Sequence, residues 1–98
     1  MLPNLCHLTL KNPPEFLFVA VGYDSYDKAF KNGLKRRKTP FIDMYENDFD
    51  ARRKSKKKYT FVFAILARVM AEDGYRFYLA ETGEWLTDEI PAHYLRLV

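Results

Sequence analysis

The spacing of apolar and polar residues changes along the chain, and each spacing predicts an element. Residues 1–21 place apolar side chains on both sides of Pro13 and Pro14, which predicts two short strands joined by the proline pair. Residues 59–66, YTFVFAIL, form a continuous apolar and β-branched run, which is typical of a strand covered on both faces. We therefore expect this run at the centre of a sheet, with a further brief strand in residues 40–45, PFIDMY.

A helical period follows the first two predicted strands. Tyr26, Ala29 and Phe30 have the spacing of one helix face. Asp24 is a suitable N-cap, and Asn32-Gly33 supplies the left-handed residue that helix ends favour. We expect a short helix that packs through this face.

A second helix is predicted over residues 46–58. Carboxylates lie in its first turns and lysines in its last, which matches the two ends of the helix dipole. Phe49 is its one large apolar side chain, so we expect Phe49 to anchor the helix to the core. One further helical turn is expected over residues 67–71.

The segment DGYRFYLAETGEWLTDEIP, residues 73–91, has the pattern of a β-hairpin. Its strands are residues 75–80 and 84–87, and Thr82-Gly83 supplies the turn between them. Pro91 ends the second strand before a last short turn at residues 93–95. We expect the aromatic residues of the hairpin in the core rather than on a surface that stacks bases; they are Tyr75, Phe77 and Trp85. Several short strands with two or three short helices predict an α+β domain.

Composition narrows the class of protein. A chain of 98 residues with 48% hydrophobic residues predicts a single folded domain. Cys6 is the only cysteine, and with His7 and His93 it leaves too few ligands for a structural zinc site, so no metal is expected. The apolar start lacks the basic region and the length of a signal peptide or membrane span. These features favour a reducing, cytoplasmic location, with no membrane partner and both histidines in surface or packing roles.

The positive charge is clustered although the net charge is only +3. KRRK and RRKSKKK contain most of the basic residues. These clusters fit either the binding of RNA or another polyanion, or a solvated helix end matched to the dipole. The candidate phosphate-binding or RNA-binding side chains are Arg36, Arg37, Lys38, Arg52, Arg53 and Lys56.

The order EDGYRFYLAETGEWLTDEIPAHYL, residues 72–95, resembles the C-terminal part of the RNA 2'-phosphotransferases. These are NAD-dependent enzymes that remove a splice-junction 2'-phosphate from transfer RNA. VFAILARVM, NGLKRR and PPEFLF extend the resemblance upstream, to roughly residues 13–95. The resemblance implies an ADP-ribosyltransferase-like fold, a split two-sheet lobe with short helices.

The chain departs from the family where the family contacts NAD. The family has a His-Gly-Thr step that holds the nicotinamide and its ribose, and this chain has Val19, Ala20 and Val21 there. Asp43 stands in the place of a further family histidine. Valine can neither donate nor accept a hydrogen bond, and each buried polar group left unpaired costs about 1–3 kcal/mol. We therefore expect no NAD cofactor.

Arg36 is the only candidate catalytic residue that matches the family. The resemblance places the other catalytic residues in an N-terminal winged-helix lobe, which we expect to be absent because only twelve residues precede Pro13. The leading hypothesis is a degenerate, non-catalytic lobe that binds RNA, a phosphate-bearing ligand or a protein. The alternative is an NAD-dependent RNA 2'-phosphotransferase or ADP-ribosyltransferase with a shortened, altered site.

A third hypothesis is a protein-interaction module or a homodimer. Ala64, Leu66 and Val69 make the predicted central strand and its following turn more apolar than an exposed surface usually is. They predict an interface, unless the strand is simply buried under the first helix.

Overall fold

The computed structural model describes residues 8–22, 26–35, 41–54 and 60–97. The strands of this part of the chain are β1 (Leu8–Leu10), β2 (Leu17–Gly22), β3 (Leu34–Lys35), β4 (Ile42–Met44), β5 (Thr60–Ile65), β6 (Tyr78–Ala80), β7 (Trp85–Thr87), β8 (Glu89–Ile90) and β9 (Leu95–Leu97). The helices are α1 (Tyr26–Asn32), α2 (Asp48–Lys54) and α3 (Ala67–Glu72), and a 3₁₀ turn covers Ala92–Tyr94.

The strands pair in an antiparallel manner in three sheets. Their orders are β1-β6-β7-β4, β2-β5-β9 and β3-β8. Phe18 and Tyr45 exchange two backbone hydrogen bonds of 2.7 and 2.8 Å, which join the edge of the second sheet to the end of β4. The predicted α+β class is confirmed, and β5 lies at the centre of its sheet as expected.

Alternation along β2 and β5 produces the main core. Leu17, Val19 and Val21 of β2 are buried and belong to the same cluster as Phe63 and Ile65 of β5. Strand geometry turns the intervening residues to the opposite face of the sheet. That face is covered by α2, which packs on both strands.

The first helix ends where its sequence predicts. Gly33 follows α1 with φ +78°, and its N–H donates to the Ala29 carbonyl at 2.8 Å. Ala29 is buried and Tyr26 is half-buried, but Phe30 is 52% exposed, so the predicted inward face is narrower than the spacing suggests. The proposed cap, Asp24, lies outside the described residues.

The second helix is present, but its predicted anchor is wrong. Asn47 caps α2, since its Oδ1 accepts a hydrogen bond from the Asp50 N–H at 2.7 Å. Phe49 is 68% exposed, whereas Ala51 is only 1% exposed. A small residue faces the sheet because α2 lies close on it, and this leaves the large ring outside. The predicted continuation of the helix through residues 55–58 lies outside the described residues.

The predicted hairpin forms between β6 and β7, and Gly83 has φ +98° in its turn. Its first strand begins at Tyr78 rather than at residue 75. Phe77 and Trp85 are 1% and 3% exposed, which confirms their place in the core, and Tyr75 packs partly buried against it.

The end of the chain differs from its prediction. The turn is earlier, at Ala92–Tyr94, and Leu95 already begins β9, which pairs with β5. Leu95 is buried in the main core, so tertiary contacts decide the conformation of this short segment. Strands β3 and β8 were not predicted either.

Within the described residues, no helix combines the length and the apolar character needed to cross a membrane.

Candidate functional site

The positions at which the chain departs from the family lie on two neighbouring elements. Val19, Ala20 and Val21 are in β2, and Asp43 is in β4. The backbone pair between Phe18 and Tyr45 holds the two strands together. We call this region the β2–β4 junction.

The valines of the junction are interior residues. Val19 is 6% exposed and Val21 is 7% exposed, and both belong to the main core with Met44. Ala20 is half-buried on the other face of the strand. No described side chain has a buried nitrogen or oxygen without a hydrogen-bond partner. The interior side of the junction is therefore an apolar packing surface.

Asp43 does not join the valines in one cleft. Met44 points into the core, so Asp43, one residue earlier, points away from it, and its side chain is exposed. Although exposed, the Asp43 carboxyl is partly shielded from water by the surrounding protein, and this desolvation is the main cause that raises its pKa above the ordinary value; the Glu84 carboxylate raises it further. A second carboxylate beside Asp43 makes this side of the junction negative.

The pKa of Tyr45 is raised by burial and by the same negative charges. Burial is the main cause that raises the pKa of its hydroxyl, and the charges of Asp43, Glu84 and Asp50 raise it further. A phosphate bound here would meet like charges, which disfavour it.

Trp85 connects the core to this negative surface. Its ring is buried, and its indole N–H donates to Glu46 Oε2 at 3.0 Å. The sequence predicts Trp85 in the core, but it predicts neither this contact nor the group formed by Asp43, Tyr45 and Glu84. The register of β4 against β7, which puts Met44 opposite Trp85, is the information that the sequence lacks.

Of the predicted basic site residues, the structure describes Arg52 and Arg53, and both lie on α2. Arg52 Nε lies 4.0 Å from Asp48 Oδ2, and Arg53 Nη2 lies 3.6 Å from Asp50 Oδ1. The Arg53 guanidinium carbon also lies 5.9 Å from the centre of the Phe49 ring. Both arginines are more than half exposed, and ion pairs of this kind contribute about 0–1 kcal/mol. The arginines are therefore available to other anions.

The other predicted basic site residues lie outside the described residues; they are Arg36, Arg37, Lys38 and Lys56. His93, by contrast, is described, and it is an exposed residue whose ring lies 4.0 Å from that of Tyr94. Among the described residues, no group of three or more His, Cys, Asp or Glu side chains has the arrangement of a metal site.

The three residues of the predicted interface do not share one exposed surface. Leu66 packs against the main core, and Ala64 is half-buried on the face of β5 opposite that core. Only Val69, which is 44% exposed, has a largely solvent-facing side chain.

Several curated proteins that are similar to this chain share one name. A probable RNA 2'-phosphotransferase of Nostoc punctiforme is 30% identical over 87 residues, which are 88% of this chain and 48% of the relative. A protein of the same name from Bacillus thuringiensis subsp. konkukian is 28% identical over 87% of this chain and 47% of its own length. In Acaryochloris marina a third is 54% identical over 33 residues, which are 34% of this chain and 18% of the relative.

No protein-family model matches the chain. The chain spans about half the length of curated relatives that it matches over most of its own length. The resemblance found in the sequence is nevertheless confirmed: the chain is a relative of the probable RNA 2'-phosphotransferases, similar to them along about half of their length.

Proposed function

We propose that the chain is a non-catalytic lobe of the RNA 2'-phosphotransferase type, with the split two-sheet architecture of ADP-ribosyltransferases, and that it binds RNA through a basic face. Its relatives, and the pair of Phe18 with Tyr45 that joins its two larger sheets, support the architecture. The proposal concerns the part of the family that this chain spans.

The burial of Val19 and Val21 is the main observation that supports a lobe without catalytic activity. Side chains that are 6% and 7% exposed cannot turn toward a cofactor without opening the core. Even if they did, they would offer no hydrogen bond to a nicotinamide or ribose, at about 1–3 kcal/mol for each group left unpaired. The negative charge of Asp43 and Glu84 further disfavours a pyrophosphate at this junction.

The basic face is supported by Arg52 and Arg53. Both are exposed on α2, and their weak pairs with Asp48 and Asp50 can be exchanged for phosphate contacts. The nearby sequence adds Arg36, Arg37, Lys38 and Lys56 to the same proposal. Binding of this kind is driven by counterion release and weakens as salt rises.

The first prediction is that the chain does not bind NAD. Calorimetric titration with NAD is expected to give no heat of binding, and incubation with NAD and a 2'-phosphorylated RNA oligonucleotide is expected to leave the phosphate in place. The Nostoc punctiforme relative, treated identically, is the positive control. Saturable NAD binding by this chain, or release of the 2'-phosphate, would contradict the proposal.

The same oligonucleotide without NAD tests the binding part. Its affinity is expected to fall steeply with salt, because salt lowers the free energy gained from counterion release. It is also expected to weaken when Arg52 and Arg53 are changed to glutamine, because these substitutions remove phosphate contacts. Lys28→Gln combined with Lys31→Gln, which removes two exposed charges from α1, is the matched control. No binding at low salt, or binding unaffected by the arginine changes, would remove the basic face from the proposal.

Two other functions have less support. An enzyme with an altered site would need polar groups where the core has Val19 and Val21. A protein interface through Ala64, Leu66 and Val69 would need these residues on one surface, and Leu66 is instead packed against the core.

A further inference from the structure

A pocket of about 350 Å³ opens beside the β1 end of the four-stranded sheet. One side is formed by Leu10 and the residues that follow it, and the other by the segment that joins α3 to β6. None of its lining residues belongs to β2, β4 or α2, so the pocket is separate from both the β2–β4 junction and the basic face. Its volume lies in the range of small-molecule sites, about 300–1,000 Å³.

The charge of the pocket is positive. Lys11 and Arg76 both line it and are exposed, and none of the lining residues that the structure describes is acidic. Neither side chain has a hydrogen bond or ion pair with another residue in the part of the chain that the structure describes. The pocket thus presents two positive charges to one small volume without neutralising either.

The pocket also has an apolar and aromatic lining. Tyr75 is half-buried, and its ring meets that of Tyr94 edge to face, with centres 5.6 Å apart and an angle of 77°. Phe77 and Leu10 also line the pocket; Phe77 is 1% exposed and Leu10 is 62% exposed. A flat ring can pack against these groups in the way that bases stack on aromatic side chains.

The backbone holds both sides of the pocket in place. The Lys11 N–H donates to the Phe77 carbonyl at 3.1 Å, which ties the two sides together. The hydroxyl of Thr87, a buried residue, donates to the Arg76 carbonyl at 2.9 Å. Because these segments are already fixed, binding a ligand would order only the ends of the Lys11 and Arg76 side chains, which lowers its entropic cost.

We propose that this pocket binds a phosphate monoester joined to a flat ring, with Lys11 and Arg76 on the phosphate and Tyr75 and Leu10 against the ring. A monoester carries a charge of about −1.5 to −2 at neutral pH, which matches the two cations better than a single carboxylate does. The guanidinium fork can also bind two phosphate oxygens at once. A free nucleotide and the 5'-phosphate end of an RNA strand share this chemistry.

Titration of the whole chain with AMP, phenyl phosphate, adenosine and inorganic phosphate tests the site. We expect saturable binding of AMP and phenyl phosphate, and binding about tenfold weaker or absent for adenosine and inorganic phosphate, each of which lacks one half of the ligand. Lys11→Gln and Arg76→Gln should each weaken AMP binding about tenfold, because each removes a charged contact. Lys28→Gln, outside the pocket, should leave it unchanged.

Two further arms complete the test. Tyr75→Phe keeps the ring and should keep AMP binding, whereas Tyr75→Leu should lose most of it while the far-ultraviolet circular dichroism stays unchanged. An oligonucleotide that binds much more tightly with its 5'-phosphate than without it, and loses that difference in Lys11→Gln, would identify an RNA end as the source; AMP binding with no such difference would identify a free nucleotide. No AMP or oligonucleotide binding, or binding that survives both charge removals, overturns the proposal. This site uses neither NAD nor Arg52 and Arg53, so its failure is distinguishable from failure of the proposed function.

Discussion

Gly33 occupies a position where both backbone conformation and space exclude a side chain. Its φ of +78° lies in the left-handed region. A Cβ at this position would collide with the Ile90 carbonyl oxygen and would lie 2.8 Å from the Ala92 nitrogen and 3.0 Å from Pro91 Cα. These neighbours are backbone atoms between β8 and the 3₁₀ turn, so a rotamer change cannot relieve the contact.

Gly33→Ala is expected to lower the free energy of unfolding by about 3 kcal/mol or more, since left-handed strain adds to a backbone clash. Gly74→Ala and Gly83→Ala are matched controls, because both glycines have positive φ but nothing within 4 Å of the added Cβ. Each should cost only about 1–2 kcal/mol. Urea denaturation of the three variants measures the difference, and equal costs would contradict the role of the Ile90 contact.

The sequence could supply only half of this explanation. Asn32-Gly33 predicts a helix end from local propensity alone. The approach of Ile90 depends on the pairing of β3 with β8, which no local pattern encodes.

At the scale of the element, α2 shows how the size of an inward-facing residue sets the packing distance. Ala51 is 1% exposed and Phe49 is 68% exposed. Hydrophobicity alone favours the phenylalanine as the anchor, but the helix packs on β2 and β5 through the small side chain of Ala51.

Phe49→Ala should therefore change the free energy of unfolding by less than about 0.5 kcal/mol, as exposed substitutions usually do. Ala51→Leu should lower it by about 1–3 kcal/mol, because added methylene groups overpack a filled interface. Thermal or urea denaturation compares the two. A large loss in Phe49→Ala with a tolerated Ala51→Leu would restore the original prediction.

Elements with strong local patterns were predictable, and short paired elements were not. The run 59–66 predicted β5, and the turn at Thr82-Gly83 predicted the β6–β7 hairpin. Strands β3 and β8 contain two residues each, and β9 contains three, so they have no period to detect and form only because partners hold them.

For the whole molecule, the contact between Tyr94 and Asp73 connects the C-terminal turn to the end of α3. The Tyr94 hydroxyl donates to Asp73 Oδ2 at 2.5 Å. This hydrogen bond is the main cause, followed by burial, that raises the pKa of Tyr94 from 10.0 to about 12. The folded chain therefore holds this proton more tightly than the unfolded chain does.

Because the pKa of Tyr94 is raised in the folded chain, the free energy of unfolding depends on pH. The stabilisation is fully present below pH 10 and is lost as pH rises toward and through 12. We expect the difference in free energy of unfolding between the native chain and Tyr94→Phe to be constant below pH 10 and to shrink above it. Urea denaturation at several pH values, with tyrosinate absorbance, measures this. A difference that persists unchanged at pH 12 would contradict the role of the hydroxyl proton.

The candidate site was predictable in its departures from the family but not in its geometry. Val19, Val21 and Asp43 could be singled out by resemblance. That Asp43 lies apart from the valines could not, because it depends on which side chains of β4 face the core. The pocket beside Lys11 and Arg76 was not predicted at all. It depends on the pairing of β1 with β6, two strands far apart in the sequence.

Pairing between distant strands also has a kinetic consequence. Among the strand pairs described, only β6–β7 joins neighbours along the chain; β2 meets β5, β1 meets β6, and β4 meets β7 across long intervening segments. Loop entropy must be lost before the hydrogen bonds of such ladders form, so topologies of this kind fold slowly for their size. The ladder of β2 with β5, which buries Val19 and Val21, is thus formed by a search through long loops rather than by local turns.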